Sequence, residues 1–124
     1  MSRIFLTLAI AVAALLFIAP AQAQNADNGQ KVYRQQCNIC HDVAAGKNRI
    51  GPTLFEVVGR KAGTEAGFTY SDGMKASGLT WDAATLERYL ADPRGVVAGT
   101  KMTYAGLKAD EQRRDLIAYL STLH

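Results

Sequence analysis

Apolar positions are distributed very unevenly along the 124-residue chain. From Ile4 to Ala19 they are nearly continuous, preceded by Arg3 and followed by Pro20 and the small-residue stretch Ala21-Gln22-Ala23. That run is shorter than the ~20 residues a membrane-crossing helix needs. With its basic start and small-residue end it reads as a secretory signal peptide, residues 1–23, with cleavage expected after Ala23. Residues 24–124 are then the working domain.

Within that domain the apolar positions follow helical periods in three places. Val32, Tyr33 and Cys37 predict a helix from about Gly29 to the CNICH stretch, with Asp27 or Asn28 as N-cap. Leu86, Tyr89 and Leu90 form a stripe in "TWDAATLERYLADP", which Thr80 or Asp82 can cap and Asp92-Pro93 ends. Leu116, Ile117, Tyr119, Leu120 and Leu123 define a terminal helix, with Asp110 expected as its cap. From Asp42 to Leu79 neither period holds, and Gly46, Gly51, Gly59, Gly63, Gly67, Gly73 and Gly78 punctuate the chain. A loop segment that long belongs in a small domain only if it wraps around something. No strand pattern or internal repeat appears, so the expected class is all-α with long loops.

Charge narrows the function classes. Fourteen lysines and arginines against 11 acidic residues give a net charge of +3, to which Arg3 of the leader contributes. No basic run or stripe supports nucleic-acid binding, whereas an acidic protein surface is a fitting partner.

The chemistry is concentrated in "CNICH", residues 37–41, which holds both cysteines of the chain. A structural disulfide across so small a loop would remove little chain entropy. A redox dithiol calls for a βαβ setting and a helix N-terminus, and neither is predicted. A zinc site would have to recruit Cys37, Cys40, the adjacent His41 and the last residue, His124. Cys-x-x-Cys-His is, by contrast, the attachment motif of c-type haem. On a helical turn residues 37, 40 and 41 face one side, so two thioethers and one imidazole can meet the same macrocycle. His41 would supply one axial ligand, and Met74, Met102 and His124 are candidates for the other. Met102 lies in the glycine-bounded "AGTKMTYAG", where packing demand is low, while His124 is a terminal residue prone to fray.

With these motifs in view, the chain from Gly29 to Leu120 resembles a class I cytochrome c of the mitochondrial type, as found among soluble bacterial cytochromes c. The resemblance is carried by CNICH, "GPTL", "GRKAG", "GFTYSDGMK", "LTWDAATLERYL", "GTKM" and "DLIAYL", in that order. It implies a small single-domain fold of helices and long loops wrapped around one covalently bound haem c, attached at Cys37 and Cys40. His41 and Met102 would be the iron ligands, with Pro52 buttressing the His41 ring. Arg60, Tyr70 and Trp81 would hold a buried propionate. Tyr89 would reach the methionine sulfur with Thr100 as its companion, and Gly29 and Tyr33 would form the close crossing with Leu116 and Tyr119. The chain departs from the family at Ala98, which often is proline and whose replacement predicts a looser ligand loop. It departs also at Tyr104, often phenylalanine, and at Met74, often asparagine, where a drier pocket is expected. Gln36 and Gly95 stand where lysines are frequent.

The resemblance implies a periplasmic one-electron carrier rather than an enzyme, because two protein ligands leave no open iron position. A haem enzyme or gas-binding protein with an open distal site is the alternative. Partners would be redox proteins docking transiently on a monomer: a terminal oxidase, a bc1-type complex, a photosynthetic reaction centre or a periplasmic dehydrogenase. Lys31, Arg49, Arg94, Lys101 and Lys108 would supply the docking charge. No nucleic acid and no stable membrane insertion after leader removal are expected.

Overall fold

The computed structural model describes residues 24–124, so the expected leader lies outside the described residues. Five helices, α1 (Ala26–Gln36), α2 (Asp72–Ala76), α3 (Ala83–Ala91), α4 (Pro93–Val96) and α5 (Asp110–Leu120), are joined by long loops. Among the described residues the nearest approach to a sheet is one isolated antiparallel bridge between Lys61 and Thr80.

The cap of α1 is Asn25, not Asp27 or Asn28, and the reason is tertiary. Asn25 Oδ1 accepts the Asn28 backbone N–H at 3.1 Å, while the Asn25 N–H donates to Asp115 Oδ1 on α5 at 2.9 Å. A partner far along the chain thus fixes where α1 begins. In α3 the expected Asp82 is the cap, its Oδ1 accepting from Thr85 N–H at 2.7 Å. The stop at Asp92 is also a start: its side chain accepts from Gly95 N–H at 3.1 Å, and Pro93 opens the one-turn α4, which the apolar pattern did not predict. Asp110 does not cap α5. Ala109 holds that position without a side-chain bond, and Asp110 sits in the first turn, where its carboxylate pairs with Arg113.

The α1–α5 crossing is the densest part of the core. Gly29 faces α5 so closely that a Cβ there would collide with the Asp115 carbonyl and lie 2.8 Å from Tyr119 Cβ. Beside it the rings of Tyr33 and Tyr119 pack with centroids 5.7 Å apart. Leu116, Ile117 and Leu120 extend this contact toward Leu86 of α3, all of them buried. Arg113, also buried, ties three segments: Nε donates to Glu87 Oε1 of α3 at 2.6 Å, one terminal nitrogen donates to the Leu107 carbonyl at 2.7 Å, and the other reaches Asp110. A buried guanidinium with every nitrogen engaged is tolerated because none of its donors is orphaned.

The segment between residues 42 and 79 closes the opposite side. It is pinned by backbone bonds rather than by apolar packing, including Ala62 N–H to Leu79 O and Trp81 N–H to Arg60 O, each 2.9 Å. Only α2, capped by Ser71 and burying Met74, interrupts it.

Replacing Gly29 with Ala gains about 1 kcal/mol of helix propensity, but the backbone collision outweighs it, since overpacking a fixed contact costs about 1–3 kcal/mol or more. The haem-loaded variant is expected to melt roughly 4–8 °C lower for each net kcal/mol lost. An unchanged or higher melting temperature by circular dichroism would show that the two helices separate without cost.

Candidate functional site

The CNICH stretch leaves α1 as a single further turn. Cys37 N–H still donates to Tyr33 O at 2.9 Å, and the Cys37 carbonyl then accepts from both Cys40 and His41 N–H at 3.0 Å. This turn brings Cys37, Cys40 and His41 onto the wall of one central cavity of about 490 Å³. Tyr33 secures it from behind, its hydroxyl donating to the His41 carbonyl at 2.8 Å and to Asn38 Oδ1 at 3.2 Å. Both thiols are half-buried and unpaired. Burial, reinforced by the neighbouring Cys40, pushes the Cys37 thiol up to about 11. The pair also lies at the C-terminal end of α1, whereas a redox dithiol is stabilised at a helix N-terminus, so the dithiol reading finds no support here.

His41 is held on two sides. Its Nδ1 lies 2.7 Å from the carbonyl of Pro52 itself, which makes Nδ1 the donor and leaves the Nε2 lone pair free to bind a metal. Burial pushes the imidazole below its ordinary value against the opposing effect of the Pro52 bond, so the neutral ring prevails at neutral pH. The other side is Gly51, where a Cβ would stand 2.6 Å from Nδ1 and 2.8 Å from Nε2. Gly51 also donates its N–H to Cys40 O at 2.8 Å, binding the GPTL segment to the CNICH turn.

The remaining expected residues line the same cavity: Pro52, Arg60, Tyr70, Trp81, Tyr89, Thr100 and Met102, and also Met74. Tyr89 and Thr100 meet through their hydroxyls at 2.8 Å, and Thr100 Oγ1 accepts the Met102 N–H at 3.3 Å. That pair fixes the Met102 loop to α3. The Ala98 carbonyl packs directly on Gly73 of α2, and Val97 beside it is buried, which anchors the loop at the point where proline is absent. Trp81 stacks at a tilt on Tyr89, centroids 4.8 Å apart. Burial raises Tyr70 and Tyr89 above the ordinary phenol value, so both are neutral.

Arg60 is fixed by Thr53 O at 2.9 Å, Phe55 O at 3.2 Å and Glu65 Oε2 at 3.1 Å, yet its Nε is buried with no partner. Thr53, in turn, is 1 % exposed and spends its hydroxyl on the Ala44 carbonyl at 2.7 Å. His124 does not line the cavity.

These features fit a haem. The volume falls within the range for buried cofactors, the lining is dominated by apolar side chains, two thiols and an imidazole share one wall, and the orphaned Arg60 donor suits an anionic group. Gly51, Tyr33, Thr53 and Glu65 were not anticipated as site residues. The first has a signal in the Gly-Pro pair, whereas nothing in local spacing marks the other three.

The fold and site define a c-type haem protein. Residues 26–124 match the family model described as Cytochrome c. Cytochrome c2 of Rhodomicrobium vannielii is 50% identical over 119 residues, covering 94% of each chain. Cytochrome c2 iso-2 of Magnetospirillum fulvum is 58% identical over 87 residues, 70% of this chain and 91% of its own. Among solved structures, cytochrome cH from Methylobacterium extorquens superimposes with a TM-score of 0.75 at 46% identity, covering 79% of this chain and 98% of its own. The chain therefore belongs to the cytochrome c family, as a small class I c-type cytochrome. It carries one covalently bound haem c, attached through Cys37 and Cys40, and its function is electron transport.

Gly51→Ala is expected to displace the His41 ring, because the added methyl group has no space against the imidazole. The haem-loaded variant should lose about 1–3 kcal/mol of stability to overpacking and show a perturbed haem spectrum. A variant matching the parent in melting temperature and resonance Raman signature would remove Gly51 from the site.

Proposed function

We propose that the chain is exported to the periplasm and there carries single electrons between redox proteins, with His41 and Met102 as the two axial iron ligands. The observation that carries this reading is the placement of an oriented imidazole and the Met102 loop on the walls of one apolar cavity. Bound there, the haem supplies a one-electron ferrous/ferric couple, and the thioether of Met102 favours the ferrous state. The protein's part is to hold both ligands in either state. Pro52 and Gly51 fix His41, while Tyr89 and Thr100 fix the backbone of Met102. Apolar walls exclude water and make the extra charge of ferric iron costlier. Were His41 and Met102 both to bind the iron, no position would be left for a substrate, which supports a non-enzymatic role.

Export rests on residues 1–23. The alignment with the Rhodomicrobium vannielii protein spans more of the chain than residues 24–124 amount to, so it runs into this leader. No described helix is long and apolar enough to cross a membrane. Docking takes place where the cavity lining reaches the surface: Ile39 and Ile50, each 75 % exposed, line the cavity as do Tyr104 and Lys101. The partner is a terminal oxidase, a bc1-type complex, a photosynthetic reaction centre or a periplasmic dehydrogenase, met transiently by a monomer. The basic residues serve the fold as well as the partner. Arg49 donates to Asn38 O at 2.7 Å, Lys101 to Thr69 O at 2.8 Å and Lys108 to Ala91 O at 2.7 Å. Their charges are thereby held at fixed positions.

Met102→Ala should keep its haem, since Cys37, Cys40 and His41 still attach it, but should bind carbon monoxide or cyanide and show a lower potential. If the parent spectrum and potential persist, Met102 is not the ligand and Met74 is the next to replace.

Lys101→Glu should slow electron transfer to an acidic partner several-fold, mainly in association, as rim charges act through encounter. The effect should fade as salt rises, because the screening length is ~10 Å at 0.1 M. Stopped-flow rates across a salt series decide it: identical rates and slopes for variant and parent would place docking on another face.

A further inference from the structure

Arg60 is held in an arrangement that leaves little freedom. One terminal nitrogen is shared between the Phe55 carbonyl at 3.2 Å and Glu65 Oε2 at 3.1 Å, and the other donates to the Thr53 carbonyl at 2.9 Å. The donor without a partner is Nε, buried, on a residue that lines the cavity. Glu65 does not line the cavity, and its carboxylate bonds one terminal nitrogen of the guanidinium. The ion pair is poorly solvated, with side chains 13 % and 18 % exposed. Its loop is tied to a second cavity residue, because the Glu65 N–H donates to the Tyr70 hydroxyl at 3.2 Å.

We propose that Glu65 lowers the haem potential in this chain, by fixing the Arg60 guanidinium and offsetting its positive charge. This rests on the reading that Arg60 faces a haem propionate. A positive charge at the cavity wall favours ferrous over ferric iron, since the ferric state carries one more positive charge. A carboxylate 3.1 Å from that charge opposes it. An exposed pair would be screened to little effect, but at this burial the local dielectric is far below that of water and the offset is felt across the pocket. Glu65 therefore keeps the potential below what Arg60 alone would give. It also fixes one terminal nitrogen of the guanidinium, as the Thr53 carbonyl fixes the other.

Potentiometric titration of haem-loaded variants tests the assignment. Glu65→Gln should raise the midpoint potential, shifting the ferrous/ferric equilibrium by roughly three- to tenfold, where tenfold is about 59 mV for one electron. The iron–methionine absorption band should be unchanged, and Glu65→Asp should restore most of the parent potential. Arg60→Gln should shift the potential the opposite way. A Glu65→Gln potential equal to or below the parent's overturns the proposal. So does loss of the methionine band in both Glu65 variants, which would make the residue a structural brace. If Arg60→Gln lowers the potential while Glu65→Gln does not change it, the propionate reading stands and Glu65 alone is excluded. If neither variant moves it, the propionate lies elsewhere and the underlying reading fails with the proposal.

Discussion

An apolar-walled space of about 490 Å³ at the centre of so short a chain is a severe energetic constraint. Apolar side chains that line it gain stability only against an apolar group, at roughly 25 cal/mol per Å² of surface removed from water. A large apolar cofactor supplies that surface, and each element can be read by how it keeps that group in place. Covalent attachment at Cys37 and Cys40 makes the group part of the chain, so that filling the space is intramolecular and independent of ligand concentration.

The two halves of the wall meet this constraint differently. On one side α1, α3 and α5 pack by side chains, with Gly29 permitting the approach of α1 to α5 and Leu116 buried at the centre. On the other side the glycine-punctuated segment has little apolar material and relies on hydrogen bonds. Carbonyls of Pro52, Thr53 and Phe55 point at His41 and Arg60, and Asn48 bridges to Thr53 N–H and the Ala66 carbonyl. A wall built of oriented carbonyls is polar where charges must be held and rigid where a ring must keep one tautomer. Turns supply it because they turn backbone groups outward that helices would consume.

Charged side chains follow the same economy. Arg113 joins α3, α5 and the Leu107 loop, and Lys101 and Lys108 fasten the distal loop to the carbonyls of Thr69 and Ala91. A lysine bonded to a carbonyl keeps its full charge, so one residue can brace a loop and face a partner.

The three longer helices, the haem attachment and the general class were legible because each depends on residues close in sequence. Leu86 and Tyr89, or Leu116, Ile117 and Leu120, share a face by helical period alone, and CNICH places its three chemical groups on one turn whatever surrounds it. Placing Pro52, Arg60 and Met102 beforehand required the family resemblance, since no local spacing links them to His41. What the sequence left open were choices made by partners distant along the chain. Asn25 became the cap of α1 because Asp115 of α5, far along the chain, bonds its backbone. Glu65 bonds Arg60 and Tyr70, each five residues away, but it neighbours the site only because the loops place those two residues on the cavity wall with His41 and Met102. Periodicity encodes which face of an element is apolar, but which buried charge meets which backbone group is settled only when the loops close, because those contacts have no repeat to announce them.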